Sequence, residues 1–245
     1  KYSIGCSNGT DAITIALLSL NLPKNSEVIL PAMTYASTFY AVVNAKLKPV
    51  LVDINDDDPL INLNQIERKI NNKTKVIIPV HLYGSVVNLF KLNRILREKK
   101  IYIVDDCSQA HGAMYDNGKR VGGHGISNIS TFSLYPGKNL GAYGDAGIIT
   151  TNNKKIYTQI KSIRNIGAIK KFDHKTIGFN NRMDTIQAAI LSHKIKYLKE
   201  NNSKRVLISK KYFSKIINKK IKFINYSKNL VFHQFIIRVK DRNKF

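Results

Sequence analysis

The chain has 245 residues, 43% of them hydrophobic, which is enough for one sizeable core and excludes an intrinsically disordered protein. Lysine and arginine total 40 against 16 acidic residues, and the net charge of +24 raises nucleic-acid binding as a hypothesis. The lysines are scattered from Lys1 to Lys244, and no helix-turn-helix, zinc-finger or aromatic RNA-binding signature accompanies them. We therefore expect no nucleic-acid partner, although the positive charge would attract an anionic substrate.

Apolar runs and cysteines bear on the compartment. The longest apolar run, from Ala12 to Leu22, contains polar residues and is shorter than the roughly 20 residues that a membrane span needs. Cys6 and Cys107 lie far apart and match no disulfide or metal-ligand spacing, which indicates a reducing compartment. We expect a cytoplasmic protein without a membrane span.

Strand-like and helix-like patterns alternate through the first two thirds of the chain. Lys1 leads directly into a strand, and further strands are predicted at 27–30, 49–54, 75–80, 101–106, 129–134 and 146–150. Apolar residues three and four positions apart predict helices from Thr10 to Leu20 and from Asn88 to Lys100. This alternation predicts an α/β fold in which helices cover a parallel sheet.

The texture of the sequence changes past position 184. Two lysine-rich helical segments, 184–200 and 203–218, precede the strand-like stretches "KFINY" and "VFHQFIIRV". The chain opens without an initiator methionine and stops just after a strand. We interpret the sequence as a fragment of a longer protein with a domain boundary in this region.

Candidate site residues follow the predicted strands, because parallel sheets bind ligands at the carboxyl ends of their strands. In "SNGTDA" (7–12), the amides of Gly9 and Thr10 open a helix and could bind an anion; the alternative is plain helix capping by Asn8 or Thr10. In "PAMTYAST" (31–38), Tyr35 could stack on an aromatic ligand or pack in the core.

Two further motifs carry charged side chains. In "DDCSQAHG" (105–112), Asp105 and Asp106 must face opposite sides of a strand, so one of them can face the site, unless it serves as a helix cap. In "SLYPGKNLGAYGDAG" (133–147), Lys138 lies among glycines; a desolvated lysine there could form a Schiff base, whereas the alternative is a solvated loop lysine. An imine-forming lysine, a carboxylate, a ring stacker and phosphate donors are what pyridoxal 5'-phosphate (PLP) requires.

Six motifs in this order resemble those of the DegT/StrS family of PLP-dependent nucleotide-sugar aminotransferases: "SNGTDA", "PAMTYAST", "IIPVHLYG", "DDCSQAHGA", "FSLYPGKNLGAYGDAG" and "GFNNRMDTIQAAIL". The resemblance covers nearly the whole chain. It implies the fold type I aminotransferase architecture, with a mainly parallel seven-stranded sheet. Residues 1–200 would form the PLP-binding large domain and residues 201–245 the beginning of a small C-terminal domain. It also implies a homodimer with shared active sites.

The resemblance also implies roles for individual residues. Lys138 would hold the cofactor covalently and move the proton, and the glycines around it would let a planar cofactor and a sugar approach. Asp106 would pair with the pyridine nitrogen, Gln109 would lie near the ring and Tyr35 would stack on it. The phosphate would be bound by Gly9, Thr10, Ser133 and, from the neighbouring subunit, Asn180. His81, Tyr83 and His111 stay unassigned between core packing and function, while Arg182 and Asp184 are expected to be structural.

The implied reaction moves an amino group, from glutamate, to a keto sugar on a nucleotide diphosphate, for surface polysaccharide or glycoconjugate synthesis. Deoxygenating relatives carry histidine in place of the lysine, so Lys138 predicts transamination. The motifs favour a 3-keto-6-deoxyhexose as acceptor. The alternatives are a C4 aminotransferase acting on a 4-keto-6-deoxy sugar and a non-catalytic PLP-binding regulator.

Overall fold

The computed structural model describes residues 1–123 and 125–245. A seven-stranded sheet forms its centre, in the order β1-β7-β6-β5-β4-β2-β3. The strands are β1 (Tyr2–Cys6), β2 (Glu27–Pro31), β3 (Lys48–Val52), β4 (Thr74–Ile77), β5 (Tyr102–Asp106), β6 (Ile129–Ser133) and β7 (Gly147–Thr151). Strands β2 to β6 pair in parallel, whereas β7 runs antiparallel to both β1 and β6. The predicted mainly parallel seven-stranded α/β sheet is therefore confirmed.

Seven α-helices surround the sheet: α1 (Gly9–Leu18), α2 (Ala36–Asn44), α3 (Leu63–Lys69), α4 (Leu89–Ile95), α5 (Lys154–Ile163), α6 (Thr185–Lys194) and α7 (Leu198–Lys215), within the part of the chain that the structure describes. An asparagine caps the N-terminus of four of them through its side-chain oxygen, namely Asn8, Asn62, Asn88 and Asn153. Such caps satisfy amides that lack an intrahelical acceptor. Four of the many asparagines in the sequence thus determine where helices begin.

Both faces of the sheet are buried. Val28 and Leu30 of β2 pack in one apolar cluster with residues of α1, α2 and α5, whereas Ile29 between them packs in a second cluster with residues of α3 and α4. Consecutive strand residues point to opposite faces, so a strand covered on both sides favours apolar residues at successive positions. This explains the continuous apolar run from Val28 to Leu30 in β2.

Several predicted elements are shorter in the structure, and two of them show why. The helix predicted from Asn88 to Lys100 ends at Ile95, because the apolar periodicity stops at Leu96 and Glu98 adopts a left-handed conformation with φ of 67°. The strand predicted over 231–239 covers only β11 (Ile237–Val239), because Phe232 has φ of 41° and breaks the extended backbone. Strand β11 pairs with β10 (Ile221–Phe223) in a separate two-stranded sheet.

Helix α7 includes position 200, and the division of the chain into residues 1–200 and 201–245 stays a prediction. A β-hairpin, β8 (Ala168–Lys170) and β9 (Asp173–His174), projects between α5 and α6. Across the described residues, 1–123 and 125–245, no helix combines the length and the apolar character needed to cross a bilayer.

Candidate active site

A cleft of about 790 Å³ opens at the carboxyl ends of β5 and β6, beside the N-terminus of α1. Seven of the eight predicted site residues line it: Gly9, Thr10, Tyr35, Asp106, Gln109, Ser133 and Lys138. The eighth, Asn180, is solvent-exposed and forms an isolated bridge with Asn165. The order of the parallel strands brings together residues that are up to 129 positions apart in the sequence, as with Gly9 and Lys138.

The N-terminus of α1 forms one wall of the cleft. Asn8 caps the helix by accepting a hydrogen bond from the Asp11 amide at 2.8 Å. This leaves the amides of Gly9 and Thr10, the first two of the helix, without an intrahelical acceptor. A Cβ on Gly9 would lie 2.5 Å from the Ser133 Cβ, so only glycine fits against β6 here. Capping and anion binding are therefore compatible, because different groups serve each.

Asp106 ends β5 and faces the cleft, with 4% of its surface exposed. Its two carboxylate oxygens each accept one hydrogen bond, from the Thr38 hydroxyl at 3.0 Å and from the Ser108 amide at 3.1 Å. Since Thr38 donates to the carboxylate, the Thr34 hydroxyl, 3.0 Å from the Thr38 hydroxyl, is the donor in that pair. These contacts hold Asp106 as an acceptor with lone pairs left for a ligand.

Asp105 faces the opposite side of the strand and is completely buried. His81 Nε2 lies 2.8 Å from Asp105 Oδ1, and both the Tyr115 hydroxyl and the Cys107 thiol donate to Asp105 Oδ2 at 3.4 Å. His81 Nδ1 accepts a hydrogen bond from the Val87 amide at 2.9 Å. His81 is therefore a neutral imidazole with its proton on Nε2, and it belongs to a closed cluster beneath the site.

Lys138 lies on the loop after β6 and is half-buried. Burial lowers the pKa of its ammonium group, while the nearby Asp106 carboxylate opposes that effect. A lowered pKa makes the neutral, nucleophilic amine more accessible. The predicted role of the surrounding glycines needs a correction: a Cβ on Gly141 or Gly147 would meet a backbone oxygen at 2.4 or 2.3 Å, so these two glycines serve packing within the protein.

Among the other residues that line the cleft, the sequence left Tyr83 unassigned and did not identify His233 and Gln234. Tyr83 lines the cleft with a left-handed backbone (φ 58°), and its amide donates to Gln109 Oε1 at 2.6 Å. Because this bond fixes the amide oxygen of Gln109, its NH₂ group is left as the donor. The sequence signal that could have indicated an unusual backbone at Tyr83 is the glycine that follows it in "HLYG". His233 and Gln234 also line the cleft, and no local signal identified them, because they arrive from the C-terminal segment.

The fold and these side chains can be compared with known proteins. Residues 1–244 match the DegT/DnrJ/EryC1/StrS aminotransferase family. The chain belongs to this family. The predicted family membership is thus confirmed.

Individual relatives support the same assignment. The chain is 42% identical, over 251 residues, to the dTDP-3-amino-3,6-dideoxy-alpha-D-galactopyranose transaminase of Aneurinibacillus thermoaerophilus, with coverage of 100% of this chain and 67% of the relative. The crystal structure of S. venezuelae DesV in complex with a ketimine intermediate has a TM-score of 0.95 at 33% identity, covering 100% of this chain and 66% of DesV.

A second solved relative is Bacillus subtilis NtdA with bound cofactor PMP, with a TM-score of 0.88 at 34% identity, covering 98% of this chain and 55% of NtdA. The chain thus spans 55% to 67% of the length of these three family members. The likeness to DesV and NtdA confirms the predicted fold class.

Proposed function

We propose that the protein containing this chain is a PLP-dependent aminotransferase that moves an amino group to a keto sugar carried on a nucleotide diphosphate. The observation that carries the proposal is the cleft that Lys138 and Asp106 share with the N-terminus of α1. Family membership and the transaminase of A. thermoaerophilus support the reaction class. The product would enter amino-sugar synthesis for surface polysaccharide or another glycoconjugate.

The residues of the cleft fit the cofactor. The open amides at the start of α1 suit the dianionic phosphate, and the tight contact of Gly9 with Ser133 brings both to the same wall. Tyr35 is 71% exposed on the cleft and offers a free aromatic face, while Gln109 offers its NH₂ group. PLP, when bound, supplies an electron sink that stabilises a carbanion next to nitrogen.

Lys138 would carry out the proton transfers. Its lowered pKa leaves the amine free to bind the cofactor covalently and, once released, to take a proton from the substrate carbon. Asp106, held by Thr38 and Ser108, would accept a hydrogen bond from the protonated ring nitrogen of the cofactor and keep that nitrogen charged. We propose glutamate as the amino donor.

The test of this proposal uses the full-length protein. We expect a visible absorption band from bound PLP, and borohydride reduction followed by peptide mass mapping should place the cofactor mass on Lys138. Lys138→Ala should lose the adduct and all turnover, while Lys119→Ala, at an exposed loop position, should keep both. An adduct on another lysine would contradict the proposal. A regulator would bind the cofactor but transfer no amino group in the presence of glutamate and keto sugar.

The favoured acceptor is a 3-keto-6-deoxyhexose, in agreement with the product named for the A. thermoaerophilus relative. The alternative is a C4 aminotransferase. Incubating the full-length enzyme with glutamate and either a 3-keto or a 4-keto-6-deoxy sugar nucleotide distinguishes the two, and faster turnover of the 4-keto substrate would replace our assignment.

We further propose a homodimer with shared active sites. Phe172, at the tip of the β8–β9 hairpin, and Ile177, which follows the hairpin, are 86% and 89% exposed, and Asn180 comes after both in the chain. A second copy would cover this apolar surface and receive Asn180 in its own cleft.

Complementation tests the shared site. Lys138→Ala and Asn180→Ala homodimers should each lose activity, whereas a mixed dimer should regain one intact site, made from Lys138 of one subunit and Asn180 of the other. Lack of recovery in a purified mixed dimer would show that Asn180 does not act across subunits. The cytoplasm stays the proposed compartment, in keeping with two free thiols, Cys6 and Cys107.

A further inference from the structure

A chain of three side chains connects α7 to the cleft. Asn202 Nδ2 donates to the backbone oxygen of His111 at 2.8 Å. Asn139 Nδ2 donates to Asn202 Oδ1 at 2.9 Å and to the backbone oxygen of Val231 at 3.1 Å. His233 Nδ1 lies 3.0 Å from Asn139 Oδ1. The last member, His233, lines the cleft.

The hydrogen-bond directions in this chain are determined by its fixed ends. A backbone carbonyl can only accept, so the contact with His111 identifies the NH₂ end of Asn202, and its oxygen must face Asn139. The carbonyl of Val231 identifies the NH₂ end of Asn139 in the same way. The oxygen of Asn139 therefore faces His233 Nδ1, and because this oxygen can only accept, Nδ1 must carry a hydrogen.

The other ring nitrogen of His233 then has a defined character. Burial and the positive charges of Lys138 and Arg205 lower the pKa of His233 to about 4, so the ring is neutral near pH 7. His111, the other titratable group that interacts with it, is also neutral there, with a pKa of about 3. A neutral ring with hydrogen on Nδ1 carries a lone pair on Nε2. Among the described residues, Nε2 has no protein donor within hydrogen-bonding distance.

We propose that Asn139 and Asn202 are positioning residues that fix His233 in its Nδ1–H tautomer and so present Nε2 as an acceptor to a hydroxyl group of the bound sugar. This role rests on the proposed function. We call the hydrogen-bonded series Asn202, Asn139 and His233 the relay. Without the relay, the His233 ring could rotate or adopt the opposite tautomer, and an N–H donor would then replace the Nε2 acceptor in the cleft. A hydroxyl facing that donor would have to reorient or lose its hydrogen bond, which weakens binding.

The tautomer can be measured directly. In the full-length protein labelled with ¹⁵N-histidine, the ¹⁵N shifts of the two ring nitrogens distinguish Nδ1–H from Nε2–H, and His233→Gln assigns the signals. We expect hydrogen on Nδ1 in the wild type at pH 7. Asn139→Leu should shift the population toward Nε2–H, and Asn202→Leu should do the same although Asn202 does not touch the ring.

Steady-state kinetics test the proposed contact between His233 and the sugar. In both leucine variants, KM for the keto sugar nucleotide should rise about tenfold, the cost of one hydrogen bond of about 1.4 kcal/mol, with a smaller change in kcat. Ser209→Ala is the matched control, because Ser209 is buried on α7 and bonds only to the Val206 carbonyl in its own helix. This control should leave the tautomer and KM unchanged.

Two results would overturn the relay: hydrogen on Nε2 in the wild type, or an unchanged tautomer in a folded Asn139→Leu or Asn202→Leu variant. An unchanged KM despite a changed tautomer would refute the contact with the sugar. If the protein shows no transamination at all, the proposed function fails, whereas the tautomer measurement still decides the relay, and calorimetric binding of the nucleotide sugar replaces KM.

Discussion

Asp105 and Asp106 are neighbours on β5, yet they occupy different regions of the molecule. Asp106 faces the cleft, with a hydroxyl and an amide as partners and lone pairs to spare. Asp105 faces a closed cluster formed by His81, Cys107 and Tyr115. An aspartate on this strand can thus contact a ligand or stabilise the core. Which of the two it does depends on the face of the strand to which its side chain points. Substitutions on the two sides should therefore affect different quantities.

Asp106→Asn should give the largest effect. The amide cannot keep a ring nitrogen protonated, so we expect kcat to fall roughly 1,000-fold, about 4 kcal/mol, while the cofactor stays bound. Steady-state kinetics of the full-length enzyme, with the visible band as a measure of bound PLP, tests this. A damaging Asp105→Asn combined with a harmless Asp106→Asn would show that we have chosen the wrong carboxylate.

Asp105→Asn should instead affect stability. It removes a buried charge that three donors surround and places an NH₂ group near the His81 N–H, so the free energy of unfolding should fall by about 3 kcal/mol. Urea denaturation measures this loss. The kcat of the folded fraction should stay within about threefold of the wild-type value, since Asp105 does not reach the cleft. A larger loss of kcat at normal stability would break the comparison.

The two buried histidines extend the comparison to pH. His81 has a partner at each ring nitrogen, whereas the ring nitrogens of His111 are buried and make no hydrogen bond of normal geometry to a described residue, although the Ser133 backbone is close enough to affect the ring. Burial, with Lys138, lowers the pKa of His111 to about 3. The unfolded chain therefore binds the extra proton below its ordinary pKa of about 6.5, and stability is lost as the pH falls from there toward 3.

His111→Leu tests this dependence, because leucine fills the site without titrating. Between pH 7 and pH 5 the wild type should lose about 2 kcal/mol more stability than the variant. His193→Gln, at an exposed position of α6, is the control and should follow the wild type. Equal pH profiles for all three proteins would mean that His111 is not buried as a neutral ring.

Thr38→Val should produce the smallest effect. Valine keeps the shape of the 1% exposed threonine but removes the donor to Asp106, so kcat should fall about tenfold, with little change in the cofactor content. The pH dependence of the cofactor band should also shift, because a less well supported carboxylate holds the ring proton less strongly. Thr38→Ser should restore both kcat and the pH dependence of the band. A Thr38→Val enzyme with normal kcat would show that the Thr38 hydroxyl does not contribute to catalysis.

The sequence predicted the sheet well, because most of its strands are short runs rich in apolar residues and the carboxyl ends of such strands identify the site. Asp106 and Lys138 were therefore found from pattern and family resemblance. Tyr83 was left unassigned, because its backbone conformation and its bond to Gln109 depend on packing between distant segments. The stretch around His233 was predicted as strand, because local periodicity cannot register the left-handed Phe232 before it.

Tyr83 also joins parts of the chain that are distant in sequence. Its amide holds Gln109 on the floor of the cleft, and its carbonyl accepts the amide of His233 from the C-terminal segment at 3.0 Å. A displacement of that segment by a few tenths of an ångström would tilt the two peptide units that meet at the Tyr83 Cα and turn the glutamine with them. The C-terminal segment around His233 and the Gln109 side chain in the cleft should consequently move together.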